Sequence, residues 1–145
     1  MCGRYNLLKD PLKWIGEPVT SGLRGPWTAE YNAAPQAYHP VFVRQNSGRL
    51  ELLRMRWGFL PRWATPEKKL RPQINARAEE AAEKPMFRAS MKDRRCLIPA
   101  TGFYEWKNAG GRKVPHHIHL GGKPFLMAGI WDEHSDDQGE TQTTF

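Results

Sequence analysis

Residues 94–108 read RRCLIPATGFYEWKN, and this stretch does most to decide the fold class. Its apolar, β-branched and aromatic residues are typical of a β-strand. Two more strand-like runs follow, KVPHHIHL at 113–120 and PFLMAGIWDE at 124–133, and the short turns AGGR and GGK separate the three. Strands joined by glycine turns predict an antiparallel meander rather than parallel strands with helical crossovers.

The first half of the chain adds a hairpin and a helical region. Two β-rich runs, 37–45 and 49–60, flank an Asn-Ser-Gly turn and predict a hairpin. Residues 75–93 are the most helical part of the chain, and Pro85 divides them into two short helices. The sequence therefore predicts an α+β fold that is mainly antiparallel.

The remaining segments predict short or irregular structure. A short helix is expected at 9–16, where a proline occupies the first turn. Proline and glycine crowd 17–36, which predicts an irregular loop, and 61–73 predicts an exposed loop. The last ten residues, 136–145, pass a turn and begin a threonine-rich run that predicts a further strand.

Length and composition predict one folded domain over residues 1–145, with 39% hydrophobic and 26% charged residues. The polar start does not resemble a secretion signal, and no run approaches the roughly 18 apolar residues of a membrane span. We therefore expect a cytoplasmic protein that makes no membrane contact. It would be associated with the nucleoid in a bacterium, or nuclear in a eukaryote.

The charge balance favours a polyanionic partner. Lysine and arginine number 22 against 15 acidic residues, which gives a net charge of +7. Nucleic acid is the first candidate for such a partner. An ordinary enzyme with a basic surface remains open from charge alone.

The two cysteines, Cys2 and Cys96, predict neither a disulfide framework nor a metal site. Cys96 lies in an apolar strand and is expected in the core. Cys2 would become the first residue if Met1 were removed, and would then carry an α-amine and a thiol together. That pair can attack an acyl carbon or capture an aldehyde, although a cysteine at position 2 by chance stays open.

Two polar residues among apolar neighbours are further candidates. Glu105 alternates with Tyr104 and Trp106 in the predicted strand, so its side chain is either a buried proton shuttle or an ordinary solvent-facing carboxylate. Asn75 precedes the helical region, where the cap of a helix is the simpler interpretation. The histidines at 116, 117 and 119 are interpreted as polar strand residues, and we expect no metal or cofactor.

Seven ordered motifs resemble one known family nearly from end to end. They are MCGRY, EYNAAPQ, WGFLPRW, INARAE, KPMFR, RRCLIPATGFYEW and MAGIWD. Together they are similar to the SOS response-associated peptidase (SRAP) family of abasic-site-processing proteins. The resemblance implies a compact α+β domain with a barrel-like, mainly antiparallel β core and short helices.

The resemblance also implies a function. Family members bind single-stranded DNA at an abasic site, where the opened sugar exposes an aldehyde. By similarity, Met1 is removed autocatalytically and Cys2 forms a thiazolidine DNA–protein crosslink that protects the lesion in the DNA damage response. Asn75 is implied to position the terminal amine or the sugar, and Glu105 to act as acid and base. Lyase activity is a further implication.

Several basic and aromatic residues are implied or expected to contact DNA. By resemblance, Arg4 and Arg77 contact phosphates, and Trp63 stacks on or wedges against bases beside the lesion. Charge and loop placement add Arg62, Lys68 and Lys69. Single-stranded DNA with an abasic site is thus the expected partner, and the protein is expected to be a monomer.

One family motif has no counterpart here. Family members carry a histidine in a motif resembling H-x-R-M-P in their later half, where it assists sugar-ring opening. None of the five histidines of this sequence, His39, His116, His117, His119 and His134, lies in that context. We therefore expect the domain to be incomplete at its C-terminus.

Two other function classes remain open. Class II glutamine amidotransferases also begin Met-Cys-Gly, so an N-terminal-nucleophile amidohydrolase that attacks a glutamine amide is one alternative. A single-stranded DNA-binding module in which Cys2 plays no part is the other. The first predicts glutamine hydrolysis, and the second predicts salt-sensitive binding that is indifferent to the lesion.

Overall fold

Two β-sheets and two short helices make up a single α+β domain. The computed structural model describes residues 2–23 and 25–145, so Met1, whose removal the family resemblance implies, lies outside the described residues. The strands are β1 (Arg4–Leu7), β2 (Val19–Ser21), β3 (Glu30–Ala33), β4 (Tyr38–Arg44), β5 (Leu50–Arg56), β6 (Arg95–Ala100), β7 (Gly102–Ala109), β8 (Arg112–Ile118), β9 (Phe125–Ile130), β10 (Asp132–Ser135) and β11 (Thr141–Thr144). The helices are α1 (Ala78–Ala81) and α2 (Arg88–Asp93).

The larger sheet curls into a half-barrel, and the smaller sheet carries the N-terminal strand. The smaller has the order β3-β1-β7-β8 and is antiparallel throughout. The larger has the order β10-β11-β5-β4-β6-β9, with β2 also paired to β5. Most of its pairs are antiparallel, while β2 and β11 run parallel to β5. The expectation of a mainly antiparallel barrel-like core is confirmed.

The stretch that decides the fold class forms two strands rather than one. β6 belongs to the larger sheet and β7 to the smaller, and the chain passes between them at Thr101. Thr101 is buried, and its backbone amide donates a hydrogen bond of 2.9 Å to the carbonyl oxygen of Asn6 in β1. This bond redirects the chain onto β1, so a continuous β-rich pattern spans two sheets.

The other segments follow the sequence with two corrections. The hairpin of β4 and β5 is confirmed, as are two helices on either side of Pro85 and a strand within 136–145. The helix expected at 9–16 is only a 3₁₀ turn, Pro11–Lys13, whose first turn is capped by the Asp10 carboxylate. The segment 17–36 is not wholly irregular, because β2 and β3 lie within it and pair with distant strands.

A cluster of aromatic rings fills the core between the sheets. Tyr5, His39 and Trp57 meet edge to face with centroid separations of 5.4–6.1 Å, and Phe145 stacks on Trp57 at 6.3 Å. His39 is fully buried, and its ring nitrogens lie 3.0 Å from a Glu30 carboxylate oxygen and 2.8 Å from a backbone carbonyl oxygen. The side chain of Tyr5, in β1, is therefore packed within this cluster, against which Cys2 also packs.

Membrane-spanning helices are not found in the described residues. Neither α1 nor α2 has the length and apolar character needed to cross a bilayer. The same holds for the 3₁₀ turns Pro11–Lys13 and Pro66–Lys68.

Candidate active site

Cys2 lies at the entrance to β1 and is half-buried against the core. Its thiol donates a hydrogen bond of 2.9 Å to the carbonyl oxygen of Arg4, two residues along. The side chain packs against the aromatic and aliphatic cluster between the sheets. The sulfur is thus held at a defined position at the edge of the core.

The environment of Cys2 keeps its thiol protonated. Burial raises the pKa of the thiol above its usual value, and the negative charge of Glu105 acts in the same direction. Hydrogen bonds with the backbone of Arg4 and Tyr104 oppose this, but the net shift of the pKa is upward. A sulfur in this state requires a base to become a good nucleophile.

Asn75 is tied directly to Cys2. Its side-chain amide donates a hydrogen bond of 2.7 Å to the backbone carbonyl oxygen of Cys2. The interpretation of Asn75 as a helix cap is wrong, because Arg77 occupies the N-cap position of α1. The side-chain amide of Asn75 therefore binds a residue distant in sequence and does not cap the adjacent helix.

Backbone and indole contacts to the segment around Phe59 hold Asn75 in place. Phe59 and Gln73 exchange a pair of backbone hydrogen bonds of 2.8 and 3.0 Å. The indole nitrogen of Trp57 donates to the carbonyl oxygen of Ile74 at 2.9 Å. These bonds join the motifs WGFLPRW and INARAE, and they hold Asn75 where its side chain reaches Cys2.

Glu105 approaches the same sulfur from β7. The register pairs Arg4 with Tyr104, so Glu105 follows directly beside the start of β1, and across β8 it is opposite His116. Its side chain is partly buried, while Trp106 next to it is 42% exposed. The structure thus brings Cys2, Asn75 and Glu105 together from three distant parts of the sequence.

An apolar cavity of about 550 Å³ opens beside these residues. Cys2 and Asn75 line it together with core side chains that include Trp57, Phe87 and Ile98. Tyr5 also lines it, and its hydroxyl has no hydrogen-bond partner among the described residues. Burial, followed by the negative charges of Glu30 and Cys2, holds the pKa of this phenol well above its usual range.

The sequence analysis missed Tyr5 as part of the site. A tyrosine in an apolar strand is usually a core residue, and the ring is one here, being only 1% exposed. Its unpaired hydroxyl beside Cys2 depends on how the two sheets pack, which no local pattern encodes. The sequence signal available was its position within the MCGRY motif.

Two of the predicted DNA contacts flank this site. Arg4 follows Cys2 by two residues, and its guanidinium donates to the side-chain oxygen of Asn32 at 3.0 Å. Arg77 follows Asn75 by two residues, is largely exposed, and lies 3.7 Å from the Glu80 carboxylate. Both cations are therefore within a short stretch of chain from the candidate catalytic residues.

The other predicted contacts belong to the loop at 61–73. Lys68 donates to the backbone carbonyl oxygen of Trp63 at 3.0 Å, and its ammonium group lies 5.0 Å from the centre of the indole ring. Lys69 lines a second cavity of about 510 Å³. None of these residues, nor Arg62, lines the Cys2 cavity. Their role in DNA binding stays a prediction.

Arg62 also takes part in a buried ionic cluster. Asp132, which is 1% exposed, accepts a hydrogen bond of 3.0 Å from the backbone amide of Arg62. The hydroxyl of Ser90 donates to the same carboxylate oxygen at 3.2 Å, and the guanidinium groups of Arg62 and Arg94 lie 3.4 and 2.9 Å from the other oxygen. This cluster anchors the loop and α2 to β10.

The histidines at 116, 117 and 119 do not form a metal site. Within residues 2–23 and 25–145, no group of three or more histidine, cysteine or acidic side chains is arranged to hold a metal ion.

Comparison with known proteins agrees with the resemblance in the sequence. The family model described as SOS response associated peptidase (SRAP) matches residues 1–145. The chain belongs to the SRAP family. Two SRAP relatives from Bacillus subtilis (strain 168), the abasic site processing proteins YoaM and YoqW, are 39% and 36% identical to it over 143 residues.

Solved structures share the fold. An X-ray crystal structure of a Bordetella bronchiseptica protein superposes with a TM-score of 0.78 at 27% identity, covering 99% of this chain and 69% of that one. YoaM and YoqW match 96% of this chain, which spans 63% of the length of each.

Proposed function

We propose that this protein processes abasic sites in single-stranded DNA, and that Cys2, once Met1 is removed, crosslinks to the opened sugar. The observation that carries the proposal is the 2.7 Å hydrogen bond from Asn75 to the Cys2 carbonyl, beside a thiol that senses the charge of Glu105. The names of the relatives as abasic site processing proteins support the same substrate.

The first step is hydrolysis of the peptide bond between Met1 and Cys2. Water adds to the carbonyl carbon of Met1, methionine leaves with a new carboxylate, and Cys2 gains a free α-amine. Glu105 is proposed to accept the proton of the attacking nucleophile and return it to the leaving amine. The resulting residue carries an amine and a thiol on adjacent carbon atoms.

The second step condenses this pair with the aldehyde at C1′ of the opened sugar. The amine adds to the aldehyde carbon, and loss of one water gives a Schiff base. The sulfur then adds to the same carbon while its proton passes to the nitrogen, which closes a five-membered thiazolidine. Because the thiol starts protonated, Glu105 is proposed to carry that proton.

Closing the ring also explains protection of the lesion. A Schiff base promotes loss of a proton from C2′ and departure of the 3′ phosphate, which is the lyase reaction. The thiazolidine has no carbon–nitrogen double bond to accept those electrons. Ring closure is therefore proposed to suppress strand cleavage, with lyase activity confined to the open intermediate.

Arg4 and Arg77 are proposed to hold the phosphates on either side of the lesion. Both follow a candidate catalytic residue by two positions, and a guanidinium group matches the geometry of a phosphate. Trp63 is proposed to stack on a base further along the strand. Such contacts position the DNA without reading its sequence.

The test uses a single-stranded oligonucleotide with one abasic site, analysed on a denaturing gel. The wild-type protein should give a covalent adduct, and Cys2→Ala should give none. Cys96→Ala is the matched control because it removes the other cysteine, and it should crosslink like the wild type. Equal crosslinking by Cys2→Ala would overturn the proposal.

Two other results would favour the alternative functions, a DNA-binding module or an amidohydrolase. DNA binding that is fully reversible in denaturant, and equally strong without the lesion, would indicate a simple binding module. Glutamine hydrolysis lost in Cys2→Ala, together with no adduct from the wild type, would indicate an amidohydrolase. Either result contradicts the crosslinking proposal.

A further inference from the structure

Three rings form a column on one face of the smaller sheet. The rings of Tyr104 and His117 lie with their centroids 4.9 Å apart and their planes 27° apart. His117 is followed by His119 at 5.0 Å and 31°. Tyr104 is partly buried, whereas both histidines are exposed, so the column ends in solvent at His119.

A buried network fixes the middle ring. The side-chain amide nitrogen of Asn6, which is 2% exposed, lies 2.8 Å from Nε2 of His117 and 3.3 Å from the Tyr104 hydroxyl oxygen. The Thr101 hydroxyl donates to the Asn6 side-chain oxygen at 2.8 Å, which sets the orientation of the amide. With the amide in this orientation, its nitrogen donates the hydrogen bond to Nε2 of His117.

The backbone under this ring is a glycine for a steric reason. A Cβ atom at Gly102 would collide with Nε2 of His117. The absence of a side chain there lets the imidazole reach down to Asn6. The ring of an ordinary surface histidine moves freely. The ring of His117 is instead fixed by the space over Gly102 and by its contact with the buried Asn6.

Two basic residues share the face of the column, and one of them, Arg4, follows Cys2 by two residues. Arg4 pairs with Tyr104 in the register, and Lys113 alternates onto the same face of β8 as His117, whereas Lys107 and Arg112 lie on the opposite face. Glu105 is the only acidic residue in 102–118, and it alternates to the other face of β7 from Tyr104. A flat ligand attached to a polyanion matches this combination of rings and positive charge.

We propose that this column is a stacking site for one unpaired base of the bound strand, near the lesion held at Cys2. The inference rests on the proposed function, since it assumes that single-stranded DNA passes Arg4. The ring of His119 offers its open face to the base, and stacking of this kind tolerates any base. Because Nε2 of His117 already accepts a hydrogen bond, its use as a metal ligand would require that bond to break.

The test measures affinity for an unreactive strand. The probes are fluorescent oligonucleotides that carry one tetrahydrofuran, an abasic analogue without an aldehyde, flanked either by thymines or by further tetrahydrofuran units. His119→Ala should weaken binding of the thymine probe about 5-fold or more, as loss of one base stack implies. It should leave binding of the base-free probe unchanged.

Two further variants separate stacking from other effects. His119→Phe keeps a flat ring and should restore binding of the thymine probe. Val114→Ala alters an exposed residue on the other face of β8 and should bind both probes like the wild type. Equal loss with both probes, or no loss with either, would overturn the inference.

Crosslinking to an aldehyde-bearing abasic site provides the separate readout. At saturating DNA, His119→Ala should still form the covalent adduct through Cys2. A protein that shows the base-dependent loss but no adduct would retain the stacking site and refute the crosslinking function. An adduct without base-dependent loss would refute the stacking site alone.

Discussion

The side-chain amide of Asn75 holds the backbone carbonyl of Cys2 at 2.7 Å, across 73 residues of sequence. This contact joins Cys2 to the segment before α1, and both residues line the apolar cavity between the sheets. Under the proposed function, the amide nitrogen of Cys2 becomes the α-amine once Met1 is removed. Anchoring its carbonyl therefore anchors the nucleophile as well.

Asn75→Ala should slow crosslinking about 10- to 100-fold, because a nucleophile displaced by about 1 Å loses that much rate. The fold should survive, since the side chain is only half-buried. Rates of adduct formation on denaturing gels measure the effect. Asn108→Ala, at an exposed position of β7, is the control, and an Asn75→Ala rate equal to the control would contradict this role.

The two thiols should differ in reactivity. Cys96 is 5% exposed and burial raises the pKa of its thiol to about 12, whereas Cys2 is only half-buried. A raised pKa keeps a thiol neutral to higher pH, so iodoacetamide at pH 8 should modify Cys2 well before Cys96. Peptide mass spectrometry measures both rates. Equal rates in the folded protein, matching those in denaturant, would refute this difference.

Glu105→Gln should move two properties of Cys2 in opposite directions. Removing the carboxylate charge lowers the pKa of the thiol, so alkylation of Cys2 at pH 8 should become faster. Crosslinking and Met1 removal should instead slow by about 100-fold or more, because the acid and base are lost. Intact-mass spectrometry follows all three reactions. A variant that crosslinks at the wild-type rate would remove Glu105 from the mechanism.

Asp132→Ala should destabilise the fold by about 3 kcal/mol or more, since it leaves the Arg94 charge without its buried partner. Denaturant unfolding measures the loss. Asp137→Ala, at an exposed site two residues after β10 ends, should change stability by about 0.5 kcal/mol or less. Similar unfolding midpoints for the two variants would show that the ionic cluster contributes little.

Local patterns predicted the elements better than their assembly. The hairpin of β4 and β5 and the break at Pro85 follow from turn residues and proline chemistry, which act over a few residues. The division of 94–108 between two sheets follows from the bond between Thr101 and Asn6, far apart in sequence. β2 and β3 are stable only because distant strands pair with them, so a proline- and glycine-rich segment concealed them.

Local sequence patterns also predict only part of the candidate site. The chemistry of Cys2 and Glu105 indicates candidates from the sequence, whereas local pattern favours a helix cap for Asn75, because capping is the commoner use of asparagine before a helix. Its true partner is 73 residues away. The unpaired hydroxyl of Tyr5 and the ring column at His117 likewise depend on strand register. For Asn75, the resemblance to the family indicates a role at the site, whereas the local sequence pattern does not.

The most direct test of the central claim is the mass and stability of the adduct with an abasic oligonucleotide. The account predicts a product with the mass of the protein without Met1 plus the DNA minus one water, stable without reduction. Cys2→Ser retains the amine but not the sulfur, so its adduct should survive only after borohydride reduction. An adduct that retains Met1, or a Cys2→Ser adduct as stable as the wild type without borohydride, would contradict the thiazolidine.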